Sequence, residues 1–287
     1  MAQPKNSPKG LDLVTLGETM IRHFTRHHHR LEQCADLGFS IAGSESNLAI
    51  GAARLGLRAG WIGKLVENPL GRKVAREIAV QGVDVSRVRW TDKGRVGVFY
   101  IEFGSPPRPT QVLYDRKGSA ASTLAPEEVD WDYVRSARWF HTTGITCALG
   151  KHTLRTVHAA IRELRGSGTR ISLDVNYRAL LWSPAQCRGT LANILPGLDQ
   201  LISTAADVEK VFGIKGSGIE QARKIQEAYG PKTVLITCGS QGAVYLDEQR
   251  KEQEIRFDRY PVTPVDRIGT GDAFAAGFFL GLLEKGP

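Results

Sequence analysis

Apolar positions along this chain fall into short continuous runs separated by amphipathic stretches. Leu11-Asp12-Leu13-Val14-Thr15-Leu16-Gly17-Glu18 is the first such run, closed by a glycine. A short apolar run ended by glycine reads as a strand buried in a sheet. Small and apolar residues at helical spacing follow from Gly43 to Leu55 and stop at Gly56, which predicts a helix. Leu57 to Val66 predicts the next strand, and Asn68-Pro69-Leu70-Gly71 opens a helix that runs to about Gln81. Arg95 to Phe103 and Thr110 to Arg116 predict a hairpin around Gly104-Ser105-Pro106-Pro107. Further on, strands are predicted at Trp139 to Ile145, from Arg170, at Leu198 to Ser203, and as strand-turn-strand over Thr233 to Ala243. A helix is predicted over about Lys151 to Arg165, and another opens at Thr204-Ala205-Ala206-Asp207. Strands alternating with helices favour an α/β fold with a mainly parallel sheet and helices on both faces.

Length agrees with that reading, since 287 residues suit one large α/β domain with a small appendage. No apolar run reaches the roughly 18–20 residues that span a bilayer. The polar stretch Met1 to Gly10 lacks the apolar core of a secretory signal and reads as a lead-in. Cys34, Cys147, Cys187 and Cys238 form no Cys-x-x-Cys pair, so reduced thiols and a cytoplasmic location are expected. The formal net charge of +8 comes from scattered lysines and arginines with no basic block. A nucleic-acid partner is therefore not expected. A positive surface also attracts anionic sugars and nucleotides. The run His27-His28-His29 is not read as a metal site, because neighbours on a strand point to opposite faces. The P-loop, dinucleotide, nucleophile-elbow and zincin motifs are absent, as are 20–50-residue repeats and low-complexity tracts.

The stretch with the most chemistry is Asp266-Arg267-Ile268-Gly269-Thr270-Gly271-Asp272-Ala273-Phe274-Ala275-Ala276-Gly277-Phe278. Gly269-Thr270-Gly271 is a tight turn, and a small-residue helix starts at Asp272. A helix start leaves its first N–H groups without intrahelical partners and carries partial positive charge. Glycines let an anion approach those groups closely. Asp272 adds a carboxylate beside that cradle. Donors for a charged group and a base for a proton suit transfer of that group onto a hydroxyl. The plainer reading of the tripeptide is a loop in which Asp is a helix cap.

The longer string resembles the C-terminal signature of the ribokinase-like (PfkB) sugar kinases. Its Asp-Arg-Ile-Gly form is most similar to the 2-keto-3-deoxygluconate kinases within that family. The resemblance extends from about residue 11 to 285. Gly43-Ser44-Glu45-Ser46-Asn47 is similar to the family's N-terminal signature, with Ala42 in place of its first glycine, and implies that Gly43 and Asn47 touch sugar hydroxyls. Leu113-Tyr114-Asp115-Arg116-Lys117-Gly118-Ser119-Ala120-Ala121 resembles a segment that binds the acid sugar, which points to Tyr100, Tyr114 and Arg116. A guanidinium fork suits a carboxylate better than a point charge does. The backbone near Gly144-Ile145 is expected to line the sugar site. Asp174-Val175-Asn176-Tyr177-Arg178-Ala179-Leu180-Leu181-Trp182 matches the same kinases, and implies that Asp174 serves the metal and phosphate region and Arg178 the sugar acid or the transferred phosphate. Thr204 and Asp207 stand where the family has Asn and Glu around Mg²⁺. Asp207 is the candidate metal residue, with a helix-capping arrangement as the alternative. Thr237, Gly239 and Gly242 resemble the nucleotide turn, with a plain hairpin turn as the alternative.

The resemblance implies a ribokinase-like fold over residues 1–287, with a small β lid from segments about 20–40 and 95–118. It implies ATP and Mg²⁺ as cofactors, phosphate transfer to the terminal hydroxyl of 2-keto-3-deoxygluconate or a similar sugar acid, and a homo-oligomer formed through the lid. Asp272 would be the base, with the N–H groups of Gly269, Thr270 and Gly271 holding the phosphate. It also leads one to expect a longer C-terminal part than this chain has. Two alternatives stay open: a kinase for a neutral sugar such as fructose or ribose, and a non-catalytic sugar- or nucleotide-binding module.

Overall fold

The apolar runs of the sequence become strands in the computed structural model, which describes residues 10–255 and 268–285. The first run is β1 (Leu11–Leu16), buried at every position after Leu11. It is followed by β2 (Met20–Phe24), β3 (Gly38–Ala42) and α1 (Ser44–Arg54). Next come β4 (Ala59–Ile62), β5 (Lys64–Val66), α2 (Pro69–Ala79) and β6 (Arg89–Thr91). The expected single strand over Leu57–Val66 is therefore two. The break falls at Gly63, where an added Cβ would lie 2.3 Å from the Trp61 ring. The hairpin forms as β7 (Val98–Glu102) and β8 (Gln111–Asp115), paired antiparallel.

The remaining chain runs through α3 (Trp131–Arg135), β9 (Ala137–Thr143), α4 (Gly144–Leu149) and α5 (Lys151–Leu164). It continues with β10 (Arg170–Asp174), α6 (Pro184–Leu191), β11 (Gln200–Thr204), α7 (Ala205–Asp207) and α8 (Gly218–Tyr229). It ends with β12 (Thr233–Thr237), β13 (Ala243–Leu246), β14 (Glu252–Ile255) and α9 (Thr270–Lys285).

The large sheet has the order β14-β13-β12-β11-β10-β9-β1-β4. It is parallel from β12 to β4, with β13 and β14 added antiparallel at one edge. Successive side chains of a strand point to opposite faces, so β1 feeds two cores. Val14 joins Phe140 and Leu173 on one face, and Leu13 joins Trp61, Trp139 and Phe279 on the other. Full burial of a side chain such as Phe140 or Phe279 contributes about 1.5–3 kcal/mol. On the second face α1 and α9 pack closely, since a Cβ on Gly51 would lie 2.8 Å from that of Ala276. That contact brings the two helix starts together.

The small sheet has the order β3-β2-β7-β8. Its strands come from the two segments expected to form a lid. Among the described residues, no helix is long and apolar enough to cross a membrane.

Candidate active site

Ligands in parallel α/β sheets bind beyond the C-terminal ends of the strands. Here those ends, the starts of α1 and α9, and the inner face of the small sheet enclose a cavity of about 420 Å³. That volume suits a small polar ligand.

Asp272 lies in the first turn of α9 and faces this cavity. Ser44 Oγ donates to its Oδ1 at 2.7 Å, and Asn47 Nδ2 donates to its Oδ2 at 2.8 Å. Burial raises the Asp272 carboxyl above its ordinary range, and those two donors and the Arg178 charge oppose the rise. The result is an oriented carboxylate on the basic side of normal, as a general base requires. Beside it Gly269 has φ of +86°, a region that favours glycine, and its carbonyl accepts the Ala273 N–H at 2.9 Å, which starts the helix. A Cβ on Gly271 would meet nothing within 4 Å, so that backbone lies open to a ligand. The start of a helix longer than four turns suits an anion there.

Two arginines reach the cavity in different states. Arg116, mostly buried, donates from Nε to Glu18 Oε2 at 2.9 Å and from Nη2 to the same oxygen. Its charge is thus already matched by Glu18, whose Oε1 is buried without a hydrogen-bond partner. Arg178 is exposed and lowers the proton affinity of Asp174, Asp207 and Asp272.

Acidic groups line the same cavity. Asp174 ends β10, and burial, with the nearby Asp272 charge, pushes its pKa up to about 7. Its Oδ1 accepts the Asn176 N–H at 3.0 Å. Asn176 takes φ of +37°, a conformation that Asn tolerates better than most residues, and its Nδ2 donates to Ser44 Oγ at 2.9 Å. Asp207 is raised chiefly by burial, and its N–H donates to Thr204 Oγ1 at 3.0 Å, so Thr204 caps α7. Glu45 is fully buried under the cavity and is likewise raised by burial, while Thr143 and Thr146 donate to its Oε1 at 2.7 and 2.6 Å.

Most of the residues singled out in the sequence meet at this one cavity. Gly43, Asn47, Tyr114, Arg116, Ile145, Arg178, Asp207, Gly269, Thr270, Gly271 and Asp272 all line it. Tyr100 does not. It stacks on His23 across the outward face of the small sheet, and its neighbour Phe99 lines the cavity and stacks on Tyr114. A side-chain period of two puts adjacent strand residues on opposite faces, so the inward position here is Phe99. Thr237, Gly239 and Gly242 lie one strand further along the sheet edge, with Thr237 in register with Thr204. Asp266 and Arg267 lie outside the described residues. Sequence reasoning missed Glu18, Ser44, Glu45, Phe99 and Asn176. Of these, Ser44 carried a usable signal, since it stands three residues before Asn47 and so shares its helix face.

Over 276 residues the chain is 38% identical to a 2-dehydro-3-deoxygalactonokinase of Haloferax volcanii, covering 96% of this chain and 86% of the relative. It is 34% identical to a 2-dehydro-3-deoxygluconokinase of Bacillus subtilis, covering 96% and 84%. The crystal structure of a 2-dehydro-3-deoxygluconokinase from Thermotoga maritima superposes with a TM-score of 0.84 at 32% identity, covering 95% of this chain and 86% of that one. The family model of pfkB carbohydrate kinases matches residues 11–287. A carboxylate fixed beside a glycine turn at a helix start, in a chain matched from β1 onward, places this protein in the pfkB family of carbohydrate kinases.

Proposed function

We propose that this chain transfers the γ-phosphate of ATP to the terminal primary hydroxyl of 2-keto-3-deoxygluconate or a closely similar sugar acid. The observation that carries the reading is Asp272, held by Ser44 and Asn47 in a cavity that also contains Arg116 and Arg178. The relatives named for 2-keto-3-deoxy sugar acids support the substrate class. Asp272 takes the proton as the hydroxyl oxygen bonds to phosphorus and the bond to ADP breaks. The N–H groups at the start of α9 stabilise the moving charge. Gly43, Asn47, Tyr114 and the backbone at Ile145 hold the sugar, Phe99 packs against it, and Thr237, Gly239 and Gly242 face the nucleotide.

Mg²⁺ fits the carboxylates that line the cavity, Asp207 and Asp174. No group of three metal-ligating side chains occurs among the described residues. Asp207 would hold the ion, which would supply charge neutralisation beside the transferred phosphate.

A second reading, a neutral sugar, is favoured by one observation: Glu18 already balances Arg116. ADP release with Mg-ATP across 2-keto-3-deoxygluconate, its galactonate epimer, fructose, ribose and no sugar decides between them. Turnover confined to the keto-deoxy acids supports the first reading, and turnover with fructose or ribose overturns it.

Self-association through the outward face of the small sheet belongs to the same proposal. Phe39, His23, Tyr100 and Leu113 stand in one cross-strand row there, with Phe39 43% and Leu113 60% exposed. Leu113→Asp should convert the assembly to monomer in sedimentation velocity. An unchanged sedimentation coefficient in the variant removes this surface from the reading.

A further inference from the structure

Four side chains join the end of β10 to the start of α9 in a directional order. The Asn176 N–H donates to Asp174 Oδ1, Asn176 Nδ2 donates to Ser44 Oγ, and Ser44 Oγ donates to Asp272 Oδ1. An ionised carboxylate only accepts, so the single Ser44 proton must point at Asp272. The hydroxyl is then left as an acceptor, and Asn176 must present its amide N–H. The other oxygen of Asp272 is taken by Asn47 Nδ2. Each carboxylate oxygen thus has a fixed donor, and neither the rotation nor the tilt of the group is free.

We infer that Ser44 is a positioning residue for Asp272, and that Asn176 sets the direction in which the Ser44 hydroxyl points. This rests on the reading of Asp272 as the base. Ser44 is the first residue of α1, so its backbone is fixed by the helix, and Asn176 is fixed in turn by its N–H bond to Asp174 and its unusual φ. The lone pair of Asp272 that faces the cavity is therefore chosen by residues far from it in the chain. Misdirecting such a lone pair is costly, because catalytic groups act only within a narrow geometry. Asn47 cannot replace Ser44, since it holds the opposite oxygen.

The inference also sets a pH signature. Ser44 donates to the charged form of Asp272 and so favours it. Among the described residues, the other charged groups facing Asp272 are Glu45 from α1, and Asp174 and Arg178 from the end of β10. Glu18 and Arg116, from the side of the small sheet, and Asp207, from α7, line the same cavity. None of these is altered by removing the Ser44 hydroxyl.

The test compares Ser44→Ala, Ser44→Thr, Asn176→Asp and Asp272→Asn with the unaltered enzyme, by steady-state kinetics from about pH 5 to 9. Ser44→Ala should lower kcat about tenfold with KM for the sugar little changed. Its acid limb in kcat/KM should move up by about one pH unit, the scale of one charge-assisted hydrogen bond. Ser44→Thr keeps the hydroxyl and should restore the limb. Asn176→Asp replaces the obligate donor with an acceptor at equal size, so the Ser44 proton turns away from Asp272. Its added charge raises the limb by itself, so it is read against the Ser44→Ala/Asn176→Asp double variant. A double-variant shift equal to the sum of the two single shifts overturns the role of Asn176. Ser44→Gly replaces Ser44→Ala should the latter fold poorly. A limb that stays in place in the Ser44 variant lacking the hydroxyl overturns the inference if Asp272→Asn is inactive. Turnover retained by Asp272→Asn overturns the base assignment instead.

Discussion

Removing Arg116 is the natural test of substrate recognition, and the structure predicts that it will first be a test of stability. The side chain of Arg116 is 9% exposed and that of Glu18 is 1% exposed, and Arg116 supplies both hydrogen bonds that Glu18 Oε2 accepts from side chains. The other oxygen, Oε1, is already buried without a donor. In Arg116→Ala the Glu18 carboxylate is left buried without its hydrogen-bonded counter-charge, with only the more distant Arg95 charge acting on it. Breaking a buried pair in this way costs about 3–5 kcal/mol, a large part of the roughly 5–15 kcal/mol that holds a typical fold. At about 2.1 cal/mol/K per residue, the length of 287 residues converts this cost into a fall in Tm of about 5–8 °C. Urea denaturation and thermal melts of Arg116→Ala, Glu18→Gln and the double variant give the comparison. The double variant should recover most of the loss, because it removes the stranded charge. A single Arg116→Ala variant that melts within about 1 °C of the parent would refute the reasoning. So would a double variant no more stable than the single one. Sugar recognition is better probed with Arg116→Lys, which keeps the charge on Glu18 but gives up the planar fork.

Asp272→Asn should bind sugar as the parent does, by calorimetry, while turnover falls by about 10²–10⁴-fold. Near-normal turnover removes Asp272 as the base. Asp174, with a pKa raised to about 7, binds its proton more tightly in the folded than in the unfolded chain, so it costs stability as pH rises from about 4 to about 7. Asp174→Asn should therefore stabilise the metal-free protein by up to about 4 kcal/mol at pH 8 and leave it unchanged near pH 3.5. A stability difference independent of pH contradicts this. Tyr133 Oη donates to Asp84 at 2.8 Å, and hydrogen bonds together with the Arg87 charge hold the Asp84 carboxyl below its ordinary range despite burial. Tyr133→Phe should cost about 1–3 kcal/mol at pH 7. The cost should shrink as pH falls through the Asp84 pKa, and a cost that persists unchanged in acid points to packing instead.

The strand and helix order was legible because buried parallel strands and amphipathic helices leave different periods in a sequence. The glycine turn before Asp272 was legible because few other residues tolerate its backbone. Three things were not. The Leu57–Val66 run gives no sign that Gly63 sends its second half to another sheet, since both halves are equally apolar. Choosing Tyr100 over Phe99 required the register of β7, which a run of apolar and aromatic residues does not fix. Glu18 and Asn176 act through partners 98 and 132 residues away, and sequence spacing carries no information about such pairs. The pairing with Glu18 changes what Arg116 means for recognition, although its presence at the cavity was expected from its residue type.

The hydrogen bonds from Ser44 and Asn47 to Asp272 span 228 and 225 residues. They depend on α9, whose Ala276 packs against Gly51 of α1. While the chain is being synthesised, α1 emerges long before its partner, since 228 residues separate Ser44 from Asp272. Through that interval Leu48, Ala49 and Ala52, which are fully or nearly fully buried in the finished protein, lack the helix that covers part of their face. Contacts of such long sequence separation form late and slow folding, and an exposed apolar face in a partly made chain invites association with other chains. The arrangement also sets an order: the Asp272 carboxylate meets Ser44 and Asn47 only once α9 has docked on α1, so it takes its fixed position at that late step and not before.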